Sequence, residues 1–136
     1  MQFDTKIAVA LRADLPTWQK LNMTAFLVSG IAAGTPEAIG ADYEDASGTL
    51  YLPMFVQPVM IFAATAEQLR QVYDSLAQRE ARFSIFTEEL FSTGHDEANR
   101  AAVKAVDAGD LKLTGLAVRA RKKIVDNAFK GLALHS

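Results

Sequence analysis

Residues Thr5 to Trp18 read TKIAVALRADLPTW. The first half, Thr5 to Leu11, is a nearly continuous run of small apolar and β-branched residues, the composition of a strand covered on both faces. The second half turns the chain. Arg12-Ala13-Asp14 is polar, Asp14 suits a helix cap and Pro16 a first helical turn. A helix is expected from Leu15 to Ala33, with Trp18, Leu21, Ala25, Val28 and Ala32 at spacings of three and four on one inward face. Phe26, Leu27 and Ile31 make its other sides apolar too. Such a helix is covered on more than one side, within the subunit or by another copy.

The strand-then-helix rhythm repeats along the chain. Val59 to Ala64 (VMIFAA) is a second strand, and Thr65 with Gln68 forms the capping box of a helix whose inward stripe is Leu69, Val72, Tyr73 and Leu76. Arg82 to Thr87 alternates polar and apolar as a third strand, and His95 to Val106 makes a short helix. The turn signal DAGD, Asp107 to Asp110, precedes a fourth strand, Leu113 to Val118, and a last helix, Arg121 to Gly131. Thr35 to Gly48 reads as a loop or a short helix with turns, and Thr49 to Leu52 as a short strand. The alternation predicts one α/β domain over residues 1–136, with helices on both faces of a sheet. Ligands of such sheets bind beyond the carboxyl ends of the strands. Three places meet that condition: Arg12 to Asp14, Ala64 to Thr65, and Thr87 to Glu89.

Composition narrows the function classes. Half of the 136 residues are hydrophobic, which supports a core without staples, and there are no cysteines, which excludes disulfides and thiolate chemistry. The start of the chain has no secretory pattern, and its most apolar window, Met54 to Ala64, is far shorter than the ~20 residues of a membrane helix. A cytoplasmic protein without membrane contact is expected. The net charge of −2, from 14 basic and 16 acidic residues, argues against nucleic acid as a partner.

The candidate ligand-binding residues are Arg12, Asp14, Lys20, Asn22 and Thr87. Arg12 and Asp14 follow the first strand directly. Lys20 and Asn22 interrupt an otherwise apolar helix near its N-terminus, where a cation and an amide suit an anionic or carbonyl group. A second set, Glu88, His95 and Asn99, comes from TEELFSTGHDEAN, residues 87–99. There His95 sits beside carboxylates, but Asp96 and Glu97 also suit a first helical turn. No metal site is expected, since the other histidine is His135 and two histidines cannot build a multi-histidine site. Asp42, Glu44 and Asp45 lack the calcium-loop pattern. Ser29-Gly30 and Ser47-Gly48 lack the nucleophile elbow, and no glycine-rich phosphate loop is present, so no cofactor is called for. The basic run Arg119 to Lys123 reads as a solvated helix start.

The stretches LRADLPTWQKLNMTAF (11–26), TGHDEANRAA (93–102) and DLKLTGLAVRARKKIVDNAFKGLALH (110–135) resemble the bacterial family catalogued as domain of unknown function 2000, over essentially the whole chain. The resemblance implies a fold like that of type II peptidyl-tRNA hydrolase. That fold is a three-layer α/β/α arrangement around a four-stranded mixed sheet, in which the last strand, Leu113 to Val118, runs antiparallel to the rest. Of the hydrolase pattern, Arg12, Asp14 and Leu15 match and Lys20 stands near one lysine position. The glycine before that lysine, the helix histidine and the acidic segment after the third strand are absent. The expectation is therefore a small-molecule- or peptide-binding domain with its cleft at the carboxyl ends of the strands. The alternatives are a non-catalytic homodimer joined through the first helix, and a peptidyl-tRNA hydrolase-like hydrolase.

Overall fold

The computed structural model describes residues 3–136. The elements are β1 (Thr5–Arg12), α1 (Thr17–Gly34), β2 (Tyr43–Glu44), β3 (Leu50–Tyr51), β4 (Val59–Ala64), α2 (Ala66–Gln78), β5 (Phe83–Thr87), α3 (Asp96–Lys104), β6 (Leu113–Arg121), α4 (Lys122–Ala128) and β7 (Ala133–Leu134). One mixed sheet has the order β5-β6-β1-β4-β7, while β2 and β3 form a separate hairpin. β1 pairs parallel with β4, and β6 runs antiparallel to both β1 and β5. The reversal expected for the Leu113 to Val118 strand is therefore present.

The expected four-stranded sheet is corrected to five. Ala133 and Leu134 pair antiparallel with Ala63 and Phe62 and add an edge strand beyond β4. Two residues carry no periodicity, so nothing in the sequence pattern marks this strand.

β1 lies at the middle of the sheet and divides the core in two, as its period of two dictates. Ala8 and Ala10 point to the side covered by α2 and α4, among Leu69, Val72, Leu76 and Val125. Ile7, Val9 and Leu11 point to the side covered by α1, among Met23, Leu27 and Ile31. All five of these β1 residues are buried, which is why the run reads as continuously apolar.

α1 corrects two further expectations. It begins at Thr17 without a side-chain cap, and Asp14 instead pairs with Arg12. Its inward face is Met23, Leu27 and Ile31; Trp18, Leu21 and Ala25 face outward. The capping box of Thr65 and Gln68 forms as expected at the start of α2, whose buried residues are Leu69, Val72 and Leu76. The last helix is shorter than expected, ending at Ala128. No described helix is long and apolar enough to cross a membrane.

Candidate functional site

The carboxyl ends of β1, β4 and β5 carry three separate clefts, and the candidate residues other than Thr87 are divided among them. In the first, Arg12 Nε donates to Asp14 Oδ1 at 2.7 Å and Nη1 to Glu88 Oε1 at 2.8 Å. The hydrogen bonds from Glu88 first and Asp14 second raise the guanidinium pKa above its ordinary value. Two carboxylates on one cation leave a net negative cluster, so the adjoining cleft of about 490 Å³ beside Thr65 and Glu67 is not built for an anion. The triad ties the end of β1 to the segment after β5.

The second cleft lies on one flank of α1. Lys20 Nζ is 3.0 Å from His135 Nε2 and 3.4 Å from the Ala13 carbonyl oxygen. With Nε2 accepting from the ammonium, His135 carries its proton on Nδ1, which is 2.9 Å from the Ser136 carbonyl oxygen. The wall of about 610 Å³ is otherwise mostly apolar, with Leu11, Leu21, Ala25 and Ile61. β7 delivers His135 here, through its backbone N–H to the Ile61 carbonyl at 2.9 Å.

The third cleft, of about 290 Å³, lies on the opposite flank of α1 and unites Asn22, His95 and Asn99. Its aromatic walls interlock. Trp18 meets Phe91 edge-on with centroids 6.3 Å apart, and Phe86 packs on Phe91 at 4.9 Å and on Phe26 at 6.1 Å. His95 is the N-cap of α3, its Nδ1 accepting from the Ala98 N–H at 3.2 Å. That bond spends one ring nitrogen on structure. The Thr93 hydroxyl donates its one proton to the Leu90 carbonyl oxygen at 3.1 Å, and the side-chain amide of Asn99 is in contact with the hydroxyl oxygen. Thr93 thereby positions the Asn99 amide on a cleft that the Asn22 amide also lines.

Thr87 joins none of these clefts. It is 1% exposed, and its Oγ1 makes no well-formed hydrogen bond. It does lie close enough to Glu89 to help hold that carboxyl below the usual range, after the residue's own backbone N–H. The register of β5 against β6 slips between Phe86 and Thr87.

Lys20 and Asn22 were expected together and stand apart, because residues two positions apart on a helix point about 200° from each other. Two histidines cannot build a multi-histidine metal site, and only the pairing of β7 reveals the lysine beside His135. Arg119 of the basic run turns to the opposite end of the sheet, where its Nε donates to Gln57 Oε1 at 3.0 Å.

A mixed five-stranded sheet with helices on both faces and clefts at the carboxyl ends of its strands defines a mixed α/β protein. The chain belongs to the family described as Protein of unknown function (DUF2000), which it matches over residues 5–136. It is similar to a solved structure described as a protein of unknown function, Atu0240, from Agrobacterium tumefaciens strain C58. The two are 47% identical with a TM-score of 0.96, covering 99% of this chain and 100% of that one. No curated protein matches the chain.

Proposed function

We propose that the protein binds a small planar molecule with a hydrogen-bonding edge, in the cleft between α1 and the start of α3. The observation that carries this reading is the pairing of two amides from different elements, Asn22 and Asn99, on a cleft walled by Trp18, Phe26, Phe86 and Phe91. Aromatic walls favour a flat ring, and side-chain amides offer a donor and an acceptor side by side. The volume of about 290 Å³ is at the small end of ligand sites, which suits a one- or two-ring compound better than a peptide.

Adenine, nicotinamide and, as an apolar control, indole are suitable probes in a thermal-shift and calorimetric titration. A binding probe at 100 times its dissociation constant adds about 2.7 kcal/mol of stability. We expect a heteroaromatic probe to bind and Asn99→Ala to remove that binding with little change in the unliganded melting temperature. Equal binding of indole, or silence from all probes, overturns the reading.

Three further elements belong to the same proposal. The chain acts as one domain in the cytoplasm, supported by its lack of cysteine. The four longer strands are arranged as in type II peptidyl-tRNA hydrolase, supported by β6 running antiparallel between β5 and β1. Two copies associate, supported by the uncharged outer face of α1, where Trp18 is 61%, Leu21 68% and Phe26 54% exposed.

A further inference from the structure

Between α1 and β4 the chain leaves the sheet altogether. Residues 41–52 are twelve consecutive exposed positions, folded as the β2–β3 hairpin. A lone two-stranded hairpin is marginal in water. This one is nevertheless held firmly at its base, where Gly40 N–H donates to the Met54 carbonyl at 3.0 Å and Val56 N–H to the Ala38 carbonyl at 2.9 Å. It carries Tyr43, Leu50, Tyr51 and Leu52 into solvent, with Leu52 85% exposed. Its charged residues are Asp42, Glu44 and Asp45, without a single cation. The arm is thus apolar and acidic, and all twelve of its residues stay exposed among the described residues.

A surface of opposite character sits at the other end of α1. The cleft of Leu11, Leu21, Ala25 and Ile61 is apolar, its charged side chain is Lys20, and no carboxylate side chain lines it. Lys20 is also the only charged residue in the 18 residues of α1. The arm springs from beyond the C-terminal end of that helix, about 27 Å long, while the cleft flanks its N-terminal half. The base of the arm and the cleft of one chain therefore lie at opposite ends of α1.

A two-fold axis removes this mismatch. It sets two α1 helices antiparallel, outer stripe to outer stripe, and so carries each arm to the N-terminal half of the other copy's helix. The same operation brings the bulky end of the stripe, Trp18 and Leu21, against the small end, Ser29 and Ala33, of the second copy. We propose that two copies of this chain exchange arms, the acidic apolar hairpin of each seating in the Lys20–His135 cleft of the other. This proposal rests on the association of two copies stated above and identifies the surfaces and the symmetry. Unlike a chance apolar patch, it accounts together for the exposed hairpin, the uncharged helix face and the cationic cleft.

The test is the oligomeric state of the full chain by analytical ultracentrifugation across a concentration series. The wild type is expected to be a dimer. Leu50→Ser with Leu52→Ser is expected to weaken it at least about tenfold in dissociation constant. Lys20→Glu alone, and Asp42→Lys with Glu44→Lys alone, are each expected to weaken it similarly, and the three charge changes combined to restore it. Circular dichroism spectra matching the wild type confirm that each variant is folded. A monomeric wild type overturns both the association and the exchange. A wild-type dimer that the arm and charge variants leave intact overturns the exchange alone.

Discussion

Asp45 shows how much one side chain settles. Its Oδ1 accepts from the backbone N–H of Ser47 at 2.9 Å and of Thr49 at 3.0 Å, and its Oδ2 from the Tyr51 hydroxyl at 2.7 Å. Gly48 completes the turn at φ +83°, a conformation that side chains disfavour. Tyr51 first and the Thr49 N–H second hold the Asp45 carboxyl below its usual range, and Asp45 in turn holds the Tyr51 hydroxyl above its own. The signs are opposite. A depressed carboxyl contributes above its unfolded value of about 3.9, and its contribution fades as pH falls through the lower folded value. A raised phenol contributes below about 10 and fades as pH rises through the higher folded value. Amide protection factors of Ser47 and Thr49 are therefore expected to be level between these limits and to fall outside them. Asp45→Asn is expected to lower both protection factors throughout, while the urea midpoint of the whole chain stays put. The three clustered acids that lack a calcium pattern in the sequence include, in Asp45, a turn former. Its work lies in backbone geometry, which composition does not display.

At the scale of elements, the legible parts are those whose burial differs from side to side. The stripe of α2 and the even apolar run of β1 each have one reading, and the folded chain follows it. α1 has several, because an apolar helix fits the core spacing on more than one face. The stripe that begins with Trp18 and Leu21 competes with the one through Met23, Leu27 and Ile31. The sheet decides between them at Gly115, on which Met23 and Leu27 pack. A Cβ there would lie 2.7 Å from Met23 Sδ, 3.1 Å from Leu27 Cδ1 and 3.2 Å from the Ala10 carbonyl oxygen. The carbonyl belongs to the middle strand and cannot yield, and the Met23 and Leu27 side chains would have to repack. Gly115→Ala is expected to cost about 1–3 kcal/mol by urea denaturation, the usual penalty for overpacking. Gly34→Ala, where a Cβ meets nothing within 4 Å, serves as the control and is expected to change stability by less than about 0.5 kcal/mol. The same twist of α1 explains the divided site. The sequence places Lys20 and Asn22 near one helix end, but only the choice of inward face assigns them to opposite flanks.

Across the whole molecule, the two ends of the sheet have different duties. The carboxyl ends hold the clefts, where amides, a lysine and a histidine are left with donors and acceptors to offer. At the amino ends a polar clamp is centred on Gln57, which is 6% exposed. Gln57 Nε2 donates to the Thr5 carbonyl at 3.0 Å, and its Oε1 accepts from Arg119 Nε at 3.0 Å and from the Thr5 hydroxyl at 3.3 Å. Arg119 also reaches Glu37 at 3.7 Å, so one cluster joins β1, β6 and both sides of the hairpin's base. Gln57→Ala would leave the Thr5 carbonyl and the largely buried Arg119 guanidinium without these partners, and unmade hydrogen bonds of buried groups cost about 1–3 kcal/mol. That loss falls on the whole sheet, so the urea midpoint is expected to drop with an unchanged slope. Asp45→Asn acts only beyond the clamp, in a hairpin that contributes nothing to either core. Combined with Gln57→Ala, it is expected to leave the midpoint where Gln57→Ala alone puts it. A further drop in the double variant would mean that the hairpin is part of the cooperative fold, and a Gln57→Ala midpoint equal to wild type would mean that the clamp is not.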